Sequence, residues 1–221
     1  MKNAKKILAL LMCAVLLVGA SIAGTVAYLT SQDTVTNTFT VGKVEITLDE
    51  AKVDTDGNYV TNHENRVETN EYHLMPGHTY IEDPTVTVKQ PSDSSYVRML
   101  VKVTNINDLK AVFTDPSYYG TDGVFLLQKL VGGWDPTLWV YEGYTASGND
   151  GVYEFRYYAA VDAKSGDVVL DDLFETITIP GEDVTSDNIA HLDNIQIDVV
   201  AQAIQRDGFA DADAAWAAFS A

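Results

Sequence analysis

The chain has 221 residues and a formal net charge of −18 at pH 7. Acidic residues outnumber Lys and Arg by 32 to 14, which excludes a phosphate-reading surface and so a nucleic-acid partner. A single cysteine excludes a disulfide framework, so stability must come from a hydrophobic core, and 46% hydrophobic residues supply one.

At the N-terminus, Lys2, Lys5 and Lys6 precede an apolar run from Ile7 to Val18. Small residues follow at Gly19, Ala20, Ser21, Ala23 and Gly24. This order of charged, apolar and small residues predicts a secretory signal peptide over 1–27. Thr25-Val26-Ala27 offers the small side chains that a signal peptidase accepts, so the cut is expected between Ala27 and Tyr28, or one residue later. A retained anchor is the alternative, but a spanning helix wants about 20 apolar residues and the run ends in glycine and small side chains. Cys13 sits inside that run in the wrong setting for a lipoprotein cut. The mature chain is then cysteine-free, and losing three lysines takes its charge from −18 to −21. The reading is of a secreted protein that meets a membrane only through its signal peptide before cleavage.

Residues 28–41 are rich in Thr, Ser, Asp and Asn, with Val35, Phe39 and Val41 at even spacing. Such a segment has strand propensity but little to bury alone. Residues 42–221 read as one domain in which apolar residues recur with period two. Strands are predicted at Phe39–Leu48, Thr85–Val88, Tyr96–Val103, Val124–Leu130, Leu138–Tyr144, Val152–Val161, Thr176–Ile179 and Ile195–Ile204. In the clearest of them Val97, Met99, Val101 and Val103 share a face. Turns are expected at Asp56-Gly57, Pro76-Gly77, Gly132-Gly133, Asn149-Asp150-Gly151, Ser165-Gly166 and Pro180-Gly181. Two short helices are expected, Asn107–Phe113 and Asp211–Phe219, the second capped by Asp211. The pattern predicts an all-β fold, a two-sheet antiparallel sandwich of jelly-roll or Greek-key type with a few short helices.

Site chemistry is sparse. Asp54, Asp56 and Asn58 place oxygen atoms at alternate positions, as a Ca²⁺ loop does. An EF-hand, however, wants glycine where Tyr59 stands and glutamate where Asn65 stands, and Asp56-Gly57 reads equally as a tight hairpin turn. No cofactor is required, and Ca²⁺ is the one metal these residues suggest. Asp171-Asp172 and Glu182-Asp183 read as solvated loop charges. The histidines His63, His73, His78 and His191 lack ligand spacing: His63-Glu64 begins a zinc-peptidase motif, but its second histidine position holds Val67. Trp134, Trp139, Tyr141 and Tyr144 are expected in the core or in cross-strand pairs, with an aromatic surface for carbohydrate as the alternative.

Three stretches together carry a family resemblance: Ala27-Tyr28-Leu29-Thr30-Ser31; Val35 to Val44; and Leu74-Met75-Pro76-Gly77 ahead of Tyr96-Val97-Arg98. They resemble the TasA/camelysin family of Gram-positive bacteria, exported through a SipW-type signal peptidase. The ending Ala203 to Phe209, followed by an Ala/Trp helix, is similar to clostridial members of that type. The resemblance covers the first half best. It implies a jelly-roll subunit that polymerises into biofilm matrix fibres, the N-terminal segment of one copy adding as a strand to the next. Val35, Phe39 and Val41 would be the self-assembly anchors, and the partner a second copy or a related matrix protein. Camelysin is described as a metalloendopeptidase, so a metal-dependent endopeptidase is the alternative, and a monomeric extracellular binding module is a third reading. No wall-sorting signal is expected, since Ala214 to Ala221 lacks a hydrophobic stop and basic tail.

Overall fold

The computed structural model describes residues 42–60, 64–115 and 129–219. The signal peptide with its Ala27–Tyr28 cut, the segment carrying Val35, Phe39 and Val41, His63 and most of the strand expected at Val124–Leu130 lie outside the described residues. In chain order the described strands are β1 (Ile46–Ala51), β2 (Arg66–Val67), β3 (Thr79–Ile81), β4 (Thr85–Val88), β5 (Ser92–Thr104), β6 (Val131–Gly132), β7 (Trp139–Ser147), β8 (Asp150–Tyr157), β9 (Val161–Ala163), β10 (Val168–Val169), β11 (Thr176–Thr178) and β12 (Gln196–Gln205). Two α-helices, α1 (Ile106–Val112) and α2 (Ala212–Phe219), and a 3-10 turn over Ile189–Asn194 complete them. The fold is all-β, and its pairings are antiparallel.

Among the described residues three sheets form, in the orders β10-β4-β1-β2, β3-β11-β6 and β12-β5-β8-β7, with β9 also pairing to β5. Strand β5 begins four residues before its predicted start, because Ser92, Ser94 and Ser95 enter the interior as strand residues with polar side chains. Ser92 Oγ accepts the Glu45 N–H at 3.0 Å, which satisfies that hydroxyl in the core. The alternation further along holds: Val97, Met99, Val101 and Val103 are all buried, and they meet Tyr153 and Phe155 of β8, Val86 and Val88 of β4, and Ile106, Leu109 and Val112 of α1.

Several expected boundaries move. The run Val152–Val161 breaks into β8 and β9 around Tyr158. Gly132 lies in strand β6, paired with Thr176, and the chain bends at Gly133, whose φ of +88° suits glycine. The hairpin between β7 and β8 turns at Gly148-Asn149, while Asp150 and Gly151 are already in β8. Gly151 is needed there for room: a Cβ would sit 2.6 Å from Ile106 Cδ1, so its absence lets α1 lie against the hairpin. The predicted Asp211 cap forms, its Oδ1 accepting the Ala214 N–H at 2.9 Å.

Met99 is 0% exposed and Val200, on the opposite face of the same sheet, is 46% exposed. Met99→Ala should cost about 3 kcal/mol and Val200→Ala under about 0.5 kcal/mol, as read by urea unfolding of the two variants.

Candidate functional site

The residues singled out for calcium form a reverse turn. Asp54 Oδ1 accepts the N–H groups of Asp56 (3.0 Å) and Asn58 (2.9 Å), Gly57 takes a φ of +77°, and Val53 bridges to Tyr59 across the turn. The His78 ring holds the Asp56 carbonyl oxygen at 2.7 Å. Among the described residues no group of three or more His, Cys, Asp or Glu side chains is placed to hold a metal ion. His73 is tied through its main chain to Thr55 and Tyr80, and His191 pairs with Asp108 on α1 at 2.9 Å.

The aromatic surface left open by the sequence does not form. Trp139 is fully buried and donates from Nε1 to the Asp171 carbonyl oxygen at 2.9 Å. Trp134 and Tyr141 both pack on Phe155, and Tyr144 packs on Tyr153, with ring centroids 5.0–5.6 Å apart. Tyr141–Phe155 and Tyr144–Tyr153 are cross-strand pairs of β7 and β8, with a register shift between Tyr141 and Gly143, and Trp134 reaches Phe155 from the chain ahead of β7.

The structure instead opens a groove between two sheet edges. Strand β1 pairs with β4 along Ile46–Asp49, while on its other side β2 reaches only Glu50 and Ala51. Strand β12 pairs with β5 along its whole length, and no strand among the described residues covers its outer edge. Between these edges lies a cleft of ≈ 360 Å³, within the range of binding pockets. Leu48 and Leu74 line one wall, Ile195, Ile197 and Val199 the other, and Leu109, Leu130, Ile177 and Ile179 complete the apolar lining.

Five carboxyls also line the groove, from Asp49, Glu50, Glu68, Glu82 and Asp198. Arg66 pulls Asp49 aside, binding its Oδ1 from Nε at 2.7 Å, and reaches Asp83 Oδ2 from Nη1 at 2.8 Å. Glu50 accepts from Asn70 Nδ2 at 2.9 Å, and Glu50 and Glu82 both line the groove. The Tyr72 hydroxyl hydrogen-bonds to Glu82 Oε2 and lies 3.0 Å from the Ile81 carbonyl oxygen. Burial first, and then Glu50 beside it, push the Glu82 carboxyl far above its ordinary value of 4.5. Burial next to Glu82 raises the Tyr72 phenol as well. Sequence reading missed this pair because Glu50 and Glu82 are 32 positions apart and neither interrupts a hydrophobic pattern; the signal is the pairing of β1 with β4, which is tertiary.

Comparison with protein-family models, with curated proteins and with solved structures returns no match for this chain.

A carboxyl raised in the folded state stabilises fully below its unfolded value, and that stabilisation is lost as pH rises through the raised one. Wild-type stability should therefore decline from about pH 5 upward through this range. Glu82→Gln keeps the shape and a donor toward Glu50, so its Tm should vary less with pH. At about pH 8 the variant should be the more stable by about 1–2 kcal/mol, a discounted figure because the groove is open to water. Thermal melts of both proteins across pH test this.

Proposed function

We propose that the chain is a secreted cell-surface or biofilm-matrix structural protein of a Gram-positive bacterium, released by a SipW-type peptidase between Ala27 and Tyr28. It is a jelly-roll subunit that assembles head to tail, residues 28–41 of one copy entering the groove of the next as a strand. The observation that carries this reading is the groove itself, a cleft of apolar and acidic lining walled by two strand edges, β1 and the ten-residue β12. An extended peptide laid there gains main-chain hydrogen bonds from an edge, and alternate side chains set its register.

The segment suits the site by charge and by pattern. Over residues 28–41 its only charged side chain is Asp33, so it brings little repulsion to an acidic wall. As a strand it would place Val35, Phe39 and Val41 on one face together with Asp33 and Asn37, leaving Thr34, Thr36, Thr38 and Thr40 on the other. Gly42 lies at the far end of β12 from the groove, where a Cβ on it would be 2.6 Å from Asp93 Oδ2 and 3.9 Å from Gln205 Oε1. Seven residues of strand separate Gln205 from Asp198, roughly 23 Å. A contact of this kind is heterologous and need not close into a ring, so it produces filaments.

Negative-stain microscopy and size-exclusion chromatography of the protein beginning at Tyr28 should show filaments, and of the protein beginning at Val41 only monomers. Monomers from both would sink strand donation.

A further inference from the structure

The Arg206 N–H donates to the Ser94 carbonyl oxygen at 2.8 Å, which fixes the phase of the β12–β5 ladder, because alternate residues of a strand turn their main-chain groups to opposite sides. Ile197, Val199, Ala201 and Ala203 therefore turn their N–H and C=O groups away from β5, while their side chains pack on the core. Asp198 stands between Ile197 and Val199, and all three line the groove. We propose that the groove selects an extended segment of apolar–basic–apolar pattern, so that its best-fitting occupant is a strand bearing lysine or arginine from a second protein. The chain's own segment is the weaker occupant. This rests on the reading that a strand enters the groove.

A strand laid on this edge sets inward residues beside Ile197 and Val199, and the residue between them falls beside Asp198. The surroundings of that middle position are acidic. Asp198 Oδ1 accepts from Gln196 Nε2 at 2.7 Å, Glu50 accepts from Asn70, and Glu68 is an exposed part of the same lining. Lys102, opposite Asp198 on β5, reaches Asp150 Oδ2 at 3.1 Å instead. Arg66 is committed to Asp49 and Asp83, and the lining includes no lysine or arginine. A basic side chain at the middle position thus meets carboxyls that the fold itself matches with amides rather than cations. Its alkyl stem lies along the apolar wall while its charged head reaches them. Residues 28–41 contain no basic side chain, and Asp33 shares the face of Val35, Phe39 and Val41. That segment brings main-chain bonds and apolar contact but leaves the charge of the groove unanswered.

The test uses three labelled synthetic peptides of residues 28–41: the parent sequence, Thr40→Lys, which builds the pattern between Phe39 and Val41, and Thr40→Glu. Each is titrated with the mature protein beginning at Tyr28 and read by fluorescence anisotropy. The protein's own segment competes equally in every titration, so the ratios hold. Thr40→Lys should bind about twofold to fivefold more tightly than the parent peptide, and Thr40→Glu more weakly. The spread should shrink at about 0.5 M salt. Asp198→Asn in the protein should bring the Thr40→Lys and parent peptides together, and Glu68→Gln should narrow the gap. Circular dichroism identifies a variant that fails to fold, leaving the other to decide. Equal binding of the three peptides, or a lysine preference unchanged in the folded variants, overturns the selection while strand entry stands. No binding of any of the three peptides overturns strand entry, and the selection with it.

Discussion

The antiparallel pairing of β5 with β8 on one side and β12 on the other decides where the remaining elements go. Ten residue pairs run in unbroken register between β5 and β12, and six between β5 and β8. That register sends Val97, Met99, Val101 and Val103 inward together, and a one-residue slip would put Arg98 and Lys102 in their place. With the inner face fixed, α1 and β4 close over it. Strand β12, having used one edge on β5, turns the other toward β1, and the groove is the space left between them.

Charge is distributed by the same constraint. In so acidic a chain each arginine inside the fold has a defined partner set. Arg66 clamps β2 to Asp49 and Asp83. On the outer face of the large sheet, Arg98 lies under the rings of Trp216 and Phe219 at 4.3 and 5.3 Å, and Arg156 binds Glu154 while reaching Asp213 of α2. These contacts fix the C-terminal helix to the sheet, combining ring faces with cations and carboxylates. Of the carboxyls along the groove, Asp49 takes Arg66, the lining itself includes no lysine or arginine, and burial raises the Glu82 carboxyl.

Sequence alone determined the strand-rich character, the inward set on β5, the pairings' period and the Asp211 cap of α2, because each follows from spacing within a few residues and from the rotation per residue of a strand or helix. It marked the Asp56-Gly57 turn for the same local reason. Tertiary structure decided the rest. Only there do the serines at the start of β5 become core residues, because Glu45 arrives to bond with Ser92. Only there do Tyr141 and Tyr144 find Phe155 and Tyr153 across the strands, and Trp134 reaches Phe155 from outside them. The groove and its carboxyl pair are the extreme case: Glu50, Tyr72, Glu82 and Asp198 lie on four separate stretches of chain. Their meeting is set by which strand edges end up facing one another, a property of long-range pairing that no local pattern encodes.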